Sequence, residues 1–182
     1  MRALVVYESM FGNTHVVASN VADGLRATHE VTLVPVAKAT ADLVAGADLL
    51  VVGGPTHMHG LSSPASRRMA AQAAAKPASG LRLDPDACGP GLQDWLKGLD
   101  GGGSALAAAF DTRLTGVPVF TGHAGRGIGK LLRRHGYHLI AAPQSFLVGH
   151  ENTLLDGEAS VARRWGAALG VIASSINLPA PA

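Results

Sequence analysis

Residues 3–14 read Ala3-Leu4-Val5-Val6-Tyr7-Glu8-Ser9-Met10-Phe11-Gly12-Asn13-Thr14, and this stretch decides the fold class. Its first five side chains form an unbroken apolar run, the pattern of a strand buried on both faces. A polar loop with one glycine follows. Val17, Val21 and Leu25 then recur at four-residue spacing, which marks one face of a helix over 13–27. The order strand, polar turn, helix opens a βαβ unit, and the same alternation continues along the chain.

Residues 30–36 hold Val31, Leu33, Val34 and Val36 and predict a second strand, and Leu49-Leu50-Val51-Val52 predict a third over 48–53. A helix over 64–76 follows and ends at Pro77. Residues 77–104 break the pattern with Pro77, Gly80, Pro85, Gly89, Pro90, Gly91 and Gly101-Gly102-Gly103, leaving room for a short helix over 93–98 around Trp95. This segment reads as an excursion, too short to own a core. Alternation resumes with a strand over 105–111 and a helix over 122–135 that sets Ile128, Leu131, Leu132 and His135 on one side. A fifth strand over 137–148 is interrupted by Pro143, and a last helix over 157–174 turns Val161, Trp165, Leu169 and Ile172 inward. Five strands alternating with helices predict an α/β doubly wound parallel sheet with helices on both faces and right-handed crossovers. The expected organisation is one domain over 1–178 and a disordered tail over 179–182.

Composition narrows the class. A chain of 182 residues buries about 70% of its unfolded surface, so neither disulfides nor a structural metal is required. The net charge is +2 and the pI about 9.0. The basic residues are dispersed as Arg67-Arg68, Arg133-Arg134 and Arg163-Arg164, each on a predicted helix face. Without clustering or interleaved aromatics they argue against nucleic-acid binding. The single cysteine, Cys88, forms no internal disulfide and fits a reducing compartment. The apolar run before Glu8 is too short for a signal peptide, and no stretch reaches the ~20 apolar residues of a membrane span. A cytoplasmic protein is expected.

Ligands of doubly wound sheets bind at the carboxyl ends of the strands, where the strand order reverses. For the order 2-1-3-4-5 this point lies between the first and third strands, so the loops after Tyr7 and Gly53 carry the chemistry. The first, Glu8 to Thr14, combines the N–H groups of a helix start, a ready anion site, with a glycine that lets the backbone curl. Ser9, Asn13 and Thr14 add side-chain donors. It contains no lysine or arginine, unlike a nucleoside-triphosphate loop. An ordinary strand-to-helix turn capped by Asn13 or Thr14 is the competing reading. The second loop is Gly53-Gly54-Pro55-Thr56-His57-Met58-His59-Gly60. Its His57-x-His59 spacing resembles a metal pair, but no further ligands lie near it, and no metal is expected. Gly125-Arg126-Gly127-Ile128-Gly129-Lys130 lacks the spacing of a nucleotide loop and reads as a tightly packed helix start. The scattered His123, His135, His138 and His150 read as structural.

The loop Ser9-Met10-Phe11-Gly12-Asn13-Thr14 resembles the phosphate loop of the flavodoxin family, matching at Ser9, Gly12, Asn13 and Thr14 and departing at Phe11, where a small hydroxyl residue is common. The resemblance extends through Phe110-Asp111-Thr112-Arg113, Ser145-Phe146-Leu147-Val148, Gly157-Glu158 and Trp165-Gly166, which recur in bacterial flavodoxin-family proteins. It implies a flavodoxin-like fold that binds FMN. The phosphate would lie on Ser9 to Thr14, and one side of the isoalloxazine ring on Pro55, Thr56, His57, Met58, His59 and Gly60. Asp111, Thr112 and Arg113 would line the other side. Met58 or one of the two histidines suits a ring face. An arginine near N1 and the C2 carbonyl of the flavin would stabilise negative charge on the reduced ring and raise its potential. An ion pair of Arg113 with Asp111 is the alternative.

Two function classes follow. One is a redox flavoprotein, either an electron carrier or a small oxidoreductase that uses NAD(P)H and an acceptor such as a quinone. The other is a non-catalytic module for flavin storage or protein interaction. Carriers of this family tend to be acidic, so a pI near 9.0 weighs against that role. Donor, acceptor, oligomeric state and the role of 77–104 stay open at this level.

Overall fold

The computed structural model of the chain describes residues 1–57, 59–101, 105–116 and 122–176. Met58, named above as a ring contact, and the tail over 179–182 lie outside the described residues. The strands are β1 (Arg2–Tyr7), β2 (Glu30–Pro35), β3 (Leu49–Pro55), β4 (Leu106–Leu114), β5 (His138–Leu139) and β6 (Gln144–Val148). The helices are α1 (Asn13–Leu25), α2 (Ala41–Ala45), α3 (Pro64–Ala74), α4 (Leu92–Lys97), α5 (Ala124–Arg134) and α6 (Glu158–Ser175), with a short 3₁₀ turn over Val36–Lys38. The strands form one parallel sheet in the order β2-β1-β3-β4-β5, with β6 also on β4.

Strand periodicity divides the core in two. Side chains alternate across a strand, so Ala3, Val5 and Tyr7 of β1 face one layer while Leu4 and Val6 face the other. On β3, Leu49 and Val51 oppose Leu50 and Val52 in the same way. The first layer is closed by α1 and α6, the second by α4 and α5. The α1–α6 crossing depends on glycines: a Cβ at Gly166 would stand 2.2 Å from the Val21 carbonyl oxygen, and one at Gly24 2.1 Å from that of Arg163. Trp165 packs edge-on against Phe110 and Phe146, with ring centroids 6.1 and 6.0 Å away.

Two differences from the sequence reading have local causes. The fifth strand is split into β5 and β6, both paired with β4, because Pro143 cannot donate a ladder hydrogen bond. Helix α2 was not predicted. It spans five residues without a buried one, so it leaves no apolar stripe. The segment 125–130 lies in the first turns of α5, where a Cβ at Gly129 would stand 3.1 Å from Leu139 and 3.2 Å from Pro143.

The register carries the sheet into the site. Tyr7 pairs with Gly53, Gly53 with Phe110, and Asp111 with Ser145. The loops leaving β1, β3 and β4 therefore emerge side by side at one edge. A Cβ at Gly53 would lie 2.0 Å from the Phe110 ring, so the close contact of β3 with β4 there admits only glycine.

Candidate functional site

The loop after β1 is wound tightly by its own side chains. The Gly12 N–H donates to Ser9 Oγ at 3.1 Å, and Gly12 then turns the chain into α1 with φ +90°. A Cβ built on Gly12 meets nothing within 4 Å. The glycine is demanded by the left-handed backbone rather than by crowding, and the space beside the helix start is open. The first N–H groups of α1 have no carbonyl one turn back, so an anion placed there completes their hydrogen bonding.

Distant segments fix this loop from three sides. The Thr14 hydroxyl meets the Thr112 hydroxyl at 2.7 Å in a buried contact. The Asn13 amide, expected as a phosphate donor, donates to the Asn152 carbonyl oxygen at 2.9 Å. The Met10 carbonyl accepts from Asp84 N–H at 2.8 Å, and Asp84 also meets His15 Nδ1 at 3.2 Å. His15 stacks on Tyr7 with centroids 4.7 Å apart. Burial, with Asp86 and Asp84 nearby, pushes the Tyr7 hydroxyl up to about 12.

Below the loop sits Glu8, 6% exposed. Its Oε1 accepts from the Ser62 hydroxyl and its Oε2 from Leu92 N–H at 2.7 Å. One buried carboxylate thus ties the end of β1 to the approaches of α3 and α4. After β3, Thr56 N–H donates to the Thr112 carbonyl at 2.8 Å, and His57 and Gly60 exchange both backbone hydrogen bonds at 2.8 and 3.0 Å. His59 has φ +77° and lies beside Gly122. The His57 Nδ1 meets Ser66 Oγ at 3.3 Å. Burial holds the His57 imidazole below its usual value, and Arg67 acts in the same direction against Glu8.

A cavity of about 180 Å³ opens where these loops meet. Met10, Phe11, Asn13 and Thr14 form one wall, Pro55, Thr56 and His57 a second, and Thr112 and Arg113 a third. Ser9, Gly12, His59, Gly60 and Asp111 stand off its walls. Asp111 is fully buried and turned to the start of α5, where its Oδ2 accepts from Gly125 N–H at 2.6 Å and its Oδ1 has no partner. That helix terminus stabilises the carboxylate. Arg113 Nη1 donates to the carbonyls of Leu114 and Gly116 at 3.3 and 3.2 Å. Leu114, Val148 and Asn152 complete the lining and were not anticipated. Among the described residues no group of three metal-ligating side chains gathers, and no helix is long and apolar enough to cross a membrane.

The family profile described as Flavodoxin matches residues 5–89, which span the phosphate-type loop and the loop after β3. Over those residues the chain is similar to the flavodoxin family. A flavodoxin from the domain Archaea superposes with TM-score 0.66 at 18% identity, covering 96% of this chain and 99% of that one. Oxidised flavodoxin 1 from Bacillus cereus gives 0.65 at 16% identity, covering 97% and 100%. A flavodoxin, WrbA-like protein from Agrobacterium tumefaciens gives 0.59 at 21% identity, covering 95% and 97%. No curated protein sequence matches the chain. Flavodoxin-family proteins bind FMN and transfer electrons. The donor set here fits a phosphate monoester: a curled loop, an open helix start, neutral hydroxyls and no cation within the loop.

Proposed function

We propose that this chain binds FMN with its phosphate on Ser9 to Thr14 and its ring between the 55–60 and 111–113 loops, and that it serves as a redox flavoprotein. The observation that carries the reading is the neutral cradle at the reversal point of the sheet. Gly12 is left-handed there, space is open beside the start of α1, and the cavity walls come from the ends of β1, β3 and β4. A cavity of about 180 Å³ is below the ~300–1,000 Å³ of a closed small-molecule site. It suits the phosphate and polyol end, with the ring at its open side.

Bound FMN supplies one- or two-electron transfer. The residues do the rest. The α1 N–H groups and the Ser9 hydroxyl hold the phosphate without a counter-cation. Pro55 and Thr56 set one wall, with Thr56 Oγ1 fixed by Ala124 N–H at 3.0 Å. Arg113 places positive charge on the third wall. Its pI near 9.0 favours a small-molecule acceptor such as a quinone over a basic protein partner. A single domain over 1–178 in the cytoplasm completes the proposal.

The test begins with colour. Purified protein should carry the absorbance of oxidised flavin, and the stripped protein should regain it with FMN. Protein that stays colourless with added FMN refutes the proposal. Steady-state oxidation of NAD(P)H with a quinone then separates a reductase from a carrier or store.

A further inference from the structure

At the opposite end of the sheet, before the N-termini of β3, β4 and β5, lies a second cavity of about 600 Å³. This volume is typical of a small-molecule site. Its apolar surface comes from Val44, Leu99 and the indole of Trp95. The Trp95 Nε1–H donates to the Ala39 carbonyl at 3.0 Å, which holds the ring in place along the wall.

The polar groups on the walls point to one ligand chemistry. Tyr137 is 5% exposed, yet its hydroxyl makes no hydrogen bond among the described residues. Its ring is packed into the core while the residue lines the cavity, which leaves the hydroxyl available to a ligand there. Burial and the nearby Asp100 charge both raise its pKa, so the hydroxyl stays protonated and neutral. Asp100 and Asp42 are the charged side chains on the described walls, and both are acidic. No lysine, arginine or histidine accompanies them there, although the chain as a whole carries +2. Two carboxylates repel an anion and attract a cation. An aromatic face adds to that preference.

We propose that this cavity binds a small organic ammonium ion, its charged group toward Asp100, Asp42 and the Tyr137 hydroxyl, its apolar body against Trp95, Val44 and Leu99. The site lies away from the cofactor loops and does not rest on their function.

Calorimetric titration of the full chain as purified, with 2-phenylethylammonium chloride and separately with 3-phenylpropanoate, tests the proposal. The two probes share a body and differ in charge. The ammonium should bind at least about tenfold more tightly, and about 0.2 M salt should weaken it. Asp100→Asn should reduce ammonium affinity about fivefold, a reduction of the size expected for one partly exposed charge. The Asp100 side chain is exposed, so this variant keeps its fold. Tyr137→Phe should reduce affinity as well. Equal affinity for the two probes, no binding of the ammonium, or unchanged affinity in Asp100→Asn overturns the proposal.

Discussion

Replacing Gly12 by alanine separates the cost of backbone conformation from the cost of space. Gly12 has φ +90° and ψ −24°, a left-handed conformation that costs an L-residue about 1–2 kcal/mol. The added methyl meets no atom within 4 Å, so no steric term adds to that sum. In the FMN complex the loop must keep its curl, and the whole strain is felt there. In the free protein the loop either keeps the strain and loses stability, or relaxes and loses FMN affinity. By the thermodynamic cycle these two losses add to about 1–2 kcal/mol. If the loop relaxes fully, FMN affinity falls about 5- to 30-fold, at 1.4 kcal/mol per factor of ten. The assay is fluorescence titration of the stripped protein with FMN and with riboflavin, beside urea unfolding of the stripped protein. Riboflavin lacks the phosphate, and its affinity should hold. An equal loss for both flavins would place the damage outside a phosphate cradle. Unchanged FMN affinity together with unchanged stability would remove the conformational argument.

Arg113→Ala should lower the two-electron midpoint potential of the bound flavin by roughly 20 mV, equivalent to about 1 kcal/mol for a half-exposed unit charge. A redox titration with no shift would move Arg113 away from the ring. Glu8→Gln should lower stability in urea by about 1–3 kcal/mol, because the amide cannot accept from both the Ser62 hydroxyl and Leu92 N–H. An unchanged unfolding midpoint contradicts that role. Burial holds His57 and His29 below the unfolded value of 6.5. The unfolded chain therefore takes up their protons first as pH falls. Stability should be full above about pH 6.5 and decline below it until the folded pKa values are passed. Thermal unfolding of wild type and His57→Gln between pH 7.5 and 5.5 should show a shallower decline in the variant; identical slopes refute the His57 share.

The sheet was legible because its central strands are buried on both faces. Residues 3–7 and 49–52 have no competing period, and their length suits a strand better than a helix. Alternation then set the fold class and the reversal point. Less of the site was legible, because its fine structure is made by contacts distant in sequence. Asn13 meets Asn152 across 139 residues, and Glu8 meets Leu92 across 84. No local pattern announces either pair. The left-handed Asn152, φ +57°, has a local signal in Asn152 itself, since asparagine tolerates that conformation. Even so, nothing in 149–155 ties that turn to the phosphate-type loop. The segment 77–104 read as an excursion on composition, and it contributes Leu92 and Leu96 to the core and Asp84 to Met10.

Under the proposed binding mode, those contacts supply what a loop without a lysine or arginine needs to hold an anion. A neutral N–H donor is weaker than a charged one, so the loop gains affinity only if its donors stand in place beforehand. Asn13 is held by Asn152, Thr14 by Thr112, Met10 by Asp84, and Gly12 by Ser9. Each contact is made between groups of the chain itself, and such preorganisation lowers the ordering cost of binding. Loosening one of these contacts at a residue outside the loop should weaken binding without removing a phosphate donor. Asn152→Gly serves this purpose: it adds no strain, since glycine accepts φ +57°, and it leaves the Asn152 carbonyl to Asn13. It deletes only the Asn152 side chain, whose Oδ1 stands 3.5 Å from the Asn13 amide, so a small loss of FMN affinity is expected. Asp84→Ala removes the His15 contact and the Asp86 N–H acceptor and loosens the segment that grips Met10. A larger loss is expected there, with riboflavin affinity held. If Asp84→Ala leaves FMN affinity intact, the loop is ordered by its own turn alone, and its clamps are architecture without a share in binding.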